Sequence, residues 1–303
     1  LWGSLRGNPD HANCEYLMKV AVAIFQNDQS LIGTDNPEIP SDGEGPVRPV
    51  KLTAFTLETM AVTNKRFAEF VKKSSYLTEA ERFGFSAVFA GLLPDNSQSS
   101  GSSEQMFWWL KVNGASWLQP EGPQSSLEGR WDHPVTHISW ADARAFTKWC
   151  EGRLPTEAEW EHAARAGAEL VKFPWGNDEP DDDFLPCNIW QGRFPVQNTC
   201  LDGHYGTAPV DAFAPNPAGL FNMCGNVWEW TADAFRIKSL SRSAKARNRT
   251  ARANNQKVLK GGSFLCHASY CYRYRIAARS GVEACSSASN VGFRVAYDWV
   301  QRP

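Results

Sequence analysis

Apolar positions along this chain rarely hold one period for long, and where they do they mark short elements. Between Val20 and about Leu57 brief apolar runs alternate with Pro37, Pro40, Pro46 and Pro49, a pattern of short strands joined by turns. Thr63 or Asn64 is placed to cap a helix whose Phe67, Phe70 and Val71 fall at helical spacing. A second helix is predicted from Ser139, with Asp142 three residues on and Ala145, Phe146 and Trp149 on one face. The third lies in Leu154-Pro155-Thr156-Glu157-Ala158-Glu159-Trp160, where Thr156 and Glu159 form a capping box and Gly167 offers the stop. About fifty residues rich in Gly, Pro, Asn and Asp follow with little periodicity, and so long a loop region asks for an extra anchor such as bound metal. Residues 1–19 read as an N-terminal arm, 94–104 as an exposed mobile loop, and the basic stretch 236–256 as a solvated surface loop. With no repeat and no linker, residues 20–303 read as one domain.

Composition sharpens this. Thirteen tryptophans and 23 glycines among 303 residues predict a loop-rich fold pinned by large rings. A net charge of -2 argues against a nucleic-acid footprint or a polybasic membrane surface. The apolar run Val20 to Phe25 is far too short to span a bilayer. Eight cysteines are too sparse for a disulfide scaffold, none has C-x-x-C spacing, and the six histidines do not sit at zinc-finger intervals.

The chemistry gathers at Gly261-Gly262-Ser263-Phe264-Leu265-Cys266-His267-Ala268-Ser269-Tyr270-Cys271-Tyr272-Arg273-Tyr274-Arg275. On one continuous strand Cys266 and Cys271 would face opposite ways, roughly 16 Å apart. Shared chemistry therefore requires a turn at His267-Ala268-Ser269. From Tyr270 onward the alternation would put tyrosines on one side and Cys271, Arg273 and Arg275 on the other. Brought together, the two thiols could form a disulfide, stay as buried thiols, or hold a soft ion such as Cu(I). Ser263 and Tyr270 add hydroxyls, and the glycine pair permits close approach of a ligand. Thiol–disulfide exchange is disfavoured, because the C-x-x-C spacing at a helix start that lowers a thiol pKa is missing. Elsewhere Asn188-Ile189, Asp202-Gly203-His204 and Asn222 to Glu229 combine side-chain oxygens with tight turns. They suit calcium or ordinary hydrogen-bonded turns. Arg273, Arg275, Arg279 and Arg294 suit internal ion pairs or an anionic partner, and sequence alone leaves that open.

These residues carry a resemblance. The double-cysteine segment, then Ala277-Ala278-Arg279-Ser280 and Ser286-Ser287-Ala288-Ser289-Asn290-Val291-Gly292-Phe293-Arg294, is similar to the C-terminal signature of formylglycine-generating enzymes, the sulfatase-modifying factors. The likeness runs upstream through Gly225-Asn226-Val227-Trp228-Glu229-Trp230, Arg153 to Trp160 and His133-Pro134-Val135, and covers about residues 20–298. The Leu-Pro-Thr-Glu-Ala-Glu-Trp and Gly-Asn-Val-Trp-Glu-Trp motifs mark the broad superfamily. The double cysteine marks the oxidase branch.

The resemblance implies an α+β fold: one mixed domain, low in regular structure, related to C-type lectins. It implies oxidation of a cysteine in a Cys-x-Pro-x-Arg-type motif of an unfolded or nascent sulfatase to Cα-formylglycine, using O2, Cu(I) and a thiol reductant. Carried over, Cys266 and Cys271 hold copper, Ser263 positions oxygen or substrate, and Trp228, Tyr270 and Asn290 line the groove. One structural calcium site would use Asn188, Ile189, Asp202 and His204, the other Asn222, Gly225, Val227 and Glu229, with Ile189, His204, Gly225 and Val227 giving backbone carbonyls. Thr147, Ala164, Ile276 and Val295 stand where secretory relatives carry cysteines, so a reducing cytoplasm of the bacterial type is expected. A monomer is expected, with no nucleic-acid or membrane partner. The alternative is a non-catalytic peptide- or ligand-binding module on the same scaffold.

Overall fold

Helix starts in this chain are written by side-chain caps. The computed structural model describes residues 20–94, 108–168 and 170–299; the expected arm at 1–19 and positions 95–104 of the expected loop lie outside them. Helix α1 (Asn64–Ser74) starts at Thr63, whose hydroxyl accepts from Arg66 N, and buries Phe67 and Phe70. Helix α2 (Glu79–Phe83) carries a capping box from Thr78 and Glu81 that the sequence reading passed over. Helices α3 (Trp140–Trp149) and α4 (Glu157–Arg165) carry the two expected boxes, Ser139 with Asp142 and Thr156 with Glu159. The stop of α4 differs by one residue: Ala166 itself takes the left-handed conformation, followed by Gly167.

The basic stretch 236–256 is a correction. It contains helix α5 (Arg242–Ala253), capped by the Ser241 hydroxyl. Its core face is made of small residues, Ala244 and Ala251, packed with Phe235, Ile237 and Val258. Two alanines seven apart make a weak hydrophobic signal, although alanine and arginine are strong helix formers. The Asn248-Arg249-Thr250 triplet lies inside this helix, and the Asn248 amide exchanges two hydrogen bonds with the Ile237 backbone.

Strands are short. β1 (Val22–Phe25), β4 (Phe55–Glu58) and β13 (Ala296–Asp298) make one sheet in the order β1-β4-β13. The second has the order β11-β10-β9-β12, from β9 (Trp228–Ala234), β10 (Gln256–Lys260), β11 (Ser280–Glu283) and β12 (Val291–Gly292). Two-stranded ribbons complete the set: β2 (Asp28–Ile32) with β3 (Arg48–Leu52), β5 (Phe85–Phe89) with β6 (Trp109–Asn113), and β7 (Gly192–Arg193) with β8 (Gln197–Asn198). Among the described residues from 167 to 227, β7 and β8 are the only strands in otherwise irregular chain, as the composition there predicted. Period-two alternation in β10 sends Val258 to the α5 cluster and Leu259 to the main core.

Because the elements are small, rings and buried ion pairs tie them together. Trp160, Trp190 and Trp230 are fully buried, and Phe67, Phe70, Phe146 and Trp149 pack as one cluster between α1 and α3. Each of the four arginines left open by sequence finds an internal carboxylate: Arg273 with Asp42, Arg275 with Glu44, Arg279 with Glu157, and Arg294 with Glu229. They hold the C-terminal segment against distant parts of the chain. Among the described residues no helix is long and apolar enough to cross a membrane.

Candidate active site

The bend required between the two cysteines is present. Tyr270 N and Cys271 N both donate to the His267 carbonyl, at 3.0 and 2.8 Å, and His267 Nδ1 lies 2.7 Å from Ser269 Oγ. Upstream, Cys266 N donates to the Ser263 carbonyl at 2.8 Å, which curls the chain before the bend. At the glycine pair the chain approaches itself closely. A Cβ on Gly262, whose φ is +73°, would sit 3.0 Å from Tyr274 Cα and 3.1 Å from the Arg273 carbonyl. The return segment is therefore seated against the start of the same loop. Residues 271–274 form no ladder, yet their alternation survives: Tyr272 and Tyr274 meet at 5.2 Å, while Arg273 and Arg275 both reach the 42–44 segment.

This folding places Cys266 Sγ 2.9 Å from Cys271 Sγ. Both are free thiols, as are the other five described cysteines. A covalent disulfide would be about 2.05 Å. The sulfurs are unequal. Cys266 is fully buried, and burial raises its pKa well above the ordinary thiol range. Cys271 is only partly buried; the hydrogen bond from Cys266 and then the Arg273 guanidinium, 3.9 Å from its sulfur, lower its pKa. Arg273 is fixed in turn by Asp42, in the 3-10 turn Pro40–Asp42, at 2.6 Å. Cys266 thus donates to Cys271, and Cys271 is the more readily deprotonated of the two. Among the described residues no third cysteine, histidine or carboxylate joins it.

The pair opens into a cavity of about 670 Å³. Ser263, Trp228, Tyr270 and Asn290, expected from sequence, all line it. Asn290 Nδ2 donates to Ser263 Oγ at 2.9 Å, and Trp228 N donates to the Asn290 carbonyl. Tyr270 stacks on Phe194 with centroids 4.1 Å apart, and Trp108 Nε1 donates to the Tyr270 hydroxyl. Sequence reasoning missed Phe194, Trp109, Phe85 and Ser287 in these walls, and it left Arg273 undecided. Arg273 had one usable signal, its position two residues beyond Cys271 on extended chain.

The two loop regions nominated for calcium lie side by side. Asn226, with a φ of +59°, joins them: its N–H donates to the Asn188 carbonyl, its carbonyl accepts from Phe264 N, and its side chain exchanges two bonds with Ala208. Gly225 packs so closely that a Cβ there would lie 2.6 Å from the Asn188 carbonyl oxygen. Three side-chain oxygens in these loops are buried with no hydrogen-bond partner: Asn188 Oδ1, Asp202 Oδ2 and Asn222 Oδ1. Buried acceptors left unpaired are rare, and an oxygen-ligated cation satisfies them. These residues fit calcium. Glu229 is differently engaged. Its carboxylate accepts from Arg294 at 2.6 and 2.7 Å and from Trp160 Nε1 at 2.8 Å.

Two unequal thiols 2.9 Å apart on the wall of a cavity of about 670 Å³, on a single mixed α/β domain with few helices, define a dithiol-site protein. Comparison with known proteins makes the class specific. A family model described as the sulfatase-modifying factor enzyme 1-like domain matches residues 20–299, and the chain belongs to that family. It is 48% identical over 286 residues to the formylglycine-generating enzyme of Thermomonospora curvata, covering 93% of this chain and 94% of that one. To the formylglycine-generating enzyme of Bos taurus it is 49% identical over 269 residues, 88% of this chain and 72% of that one. Among solved structures, PvdO from Pseudomonas aeruginosa aligns with a TM-score of 0.62 at 19% identity, over 92% of this chain and 94% of that chain, a likeness of fold alone.

Proposed function

We propose that this protein converts a cysteine of a client sulfatase, within a Cys-x-Pro-x-Arg-type motif, to Cα-formylglycine. The observation that carries the reading is the 2.9 Å pair of sulfurs opening into a 670 Å³ groove, in a chain nearly half identical to formylglycine-generating enzymes along almost its whole length. The client binds as an extended segment, with its cysteine over Cys266 and Cys271. Two sulfurs without hard donors suit a soft monovalent ion, so Cys266 and Cys271 would hold Cu(I). Bound copper would supply the one-electron chemistry that lets O2 react. The client cysteine would lie over the two sulfurs with its β-carbon at the reacting centre, and that proximity would set the selectivity.

The remaining roles belong to side chains on the walls. Arg273 favours the thiolate form of Cys271. Ser263, held by Asn290, positions oxygen or substrate. Trp228 and the Trp108–Tyr270–Phe194 stack exclude water from the sulfurs. The atoms balance when the β-carbon loses its sulfur as sulfide and O2 ends as the aldehyde oxygen and water. The two further electrons come from a thiol reductant. Asn188 and Asp202, with Asn222 beside them, support structural calcium, with carbonyls of Ile189, His204, Gly225 and Val227 completing the sets. Arg294 competes for Glu229, which favours the first site over the second. Thr147, Ala164, Ile276 and Val295 are all buried side chains in the core, which supports a protein that packs these positions without cross-links and suits a reducing cytoplasm.

Mass spectrometry of a Cys-x-Pro-x-Arg peptide incubated with the protein, Cu(I), O2 and a thiol reductant tests the proposal. Aldehyde that needs all four components is expected. Peptide binding with no aldehyde would sink the oxidase reading in favour of a non-catalytic peptide-binding module.

A further inference from the structure

Charge is unevenly distributed along the walls of the groove. In the β5–β6 ribbon Phe89 pairs with Trp109, Ala87 with Lys111 and Phe85 with Asn113. Positions two apart share a face, so Trp109, Ala87 and Phe85 follow one another along one wall, and all three line the cavity. At the Trp109 end this wall meets the sulfur site: Trp108, one residue earlier, packs its ring 5.2 Å from that of Tyr270, the neighbour of Cys271. Phe85 lies four ladder positions further on, roughly 13 Å away.

That far end is apolar and carries a positive charge. Phe83, the last residue of α2, is half exposed, and its ring lies 6.3 Å from that of Phe85. Lys111 places its ammonium 3.8 Å from the centre of the Phe85 ring, and among the described residues it has no carboxylate partner. Among the described residues that line the cavity there is no aspartate or glutamate, and the one cation, Arg273, is already paired with Asp42. Ser280 and Val282 of β11 face the cavity, so alternation turns Glu283 to the other side, where it accepts from Asn254. A guanidinium brought to the Phe85 end would meet a like charge and lose water without gaining a carboxylate. An aliphatic or aromatic side chain would instead cover Phe83 and Phe85.

An extended polypeptide advances about 3.3 Å per residue, so a client whose cysteine lies over Cys266 and Cys271 reaches Phe85 with about its fourth residue further along. In a Cys-x-Pro-x-Arg segment that residue is the arginine. We propose that Phe83, Phe85 and Lys111 form a specificity subsite that takes an uncharged apolar side chain at the fourth position after the client cysteine and disfavours arginine there; this rests on the reading of the groove as the client site.

The test separates binding from chemistry. Affinity is measured with peptides in which serine replaces the cysteine and the fourth following residue is Leu, Phe, Arg or Glu, and turnover of the matching cysteine peptides is followed in parallel. The Leu and Phe peptides are expected to bind about tenfold tighter than the Arg peptide, the effect of covering two rings with apolar rather than charged surface. Phe83→Ala removes a half-exposed ring and should cut that preference several-fold. Lys111→Glu, at an exposed strand position, supplies the missing counter-charge and should reverse the order, so that the Arg peptide binds tighter than the Leu peptide. Arg bound as well as Leu by the wild type, Glu bound tightest, an order unmoved in folded Lys111→Glu, or no binding of any of the four would overturn the proposal. The expected order with no aldehyde from any cysteine peptide would leave the subsite standing and remove the oxidase reading. Aldehyde formed with equal kcat/KM from all four would do the reverse.

Discussion

At the scale of single residues the site depends on two identical side chains made different by their surroundings. Cys266 is sealed in the core and keeps its proton; Cys271 faces the groove beside Arg273 and loses it more readily. Replacing the partly exposed member changes chemistry more than packing. Cys271→Ser is expected to abolish aldehyde formation while leaving the thermal melting curve close to wild type; wild-type turnover in that variant would remove the catalytic assignment. Both cysteines, Ser263, Trp228, Tyr270 and Asn290 were legible in the sequence because they lie in or near one recognisable signature, and the fold gathers them around one cavity. Arg273 was not. Its partner Asp42 is 231 residues away, and no local pattern says which distant carboxylate a given arginine will meet.

At the scale of elements, the catalytic loop is held by other loops rather than by helices. Asn226 links the 188 region, the 208 region and Phe264, two residues before Cys266, through four backbone-type hydrogen bonds in a left-handed conformation. Asn226→Ala is expected to destabilise the protein by about 2–4 kcal/mol, since it leaves buried Ala208 groups unpaired and strains the backbone. Chemical denaturation measures this, and turnover should fall with it because the Cys266 backbone shifts. A loss below about 0.5 kcal/mol would show that the knot is not a support. Elements with strong local signals, the boxes of α3 and α4 and the cap of α1, were readable in advance. Helix α5 was not, because its buried face is alanine and its visible face is arginine.

At the scale of the whole molecule, stability can be tested against ions and against protons. If calcium pairs with the orphan oxygens of Asn188, Asp202 and Asn222, chelation lowers the melting temperature by linkage; an unchanged melting curve in excess chelator would count against both sites. Acid acts through the histidines. Burial lowers the pKa of His137 to about 3, and it also lowers those of His133 and His162. The unfolded chain therefore takes up more protons than the folded one as pH falls below about 6.5. Stability should be complete above that value and decline below it, by about 1.4 kcal/mol per pH unit for each proton taken up. Denaturation at pH 7 and pH 5 checks the sign, and a protein no less stable at pH 5 would contradict it.

By itself the sequence determined whatever is encoded locally or in a contiguous signature. That covers three helix starts, the low content of regular structure, the need for a bend between the two cysteines, and the family to which the chain belongs. Only the tertiary structure decided which thiol is the more readily deprotonated, which carboxylate each arginine meets, and that α5 is a helix. Local signals arise from hydrogen bonds and rotamers spanning a few residues, whereas these outcomes depend on burial and on ion pairs between residues up to 231 positions apart.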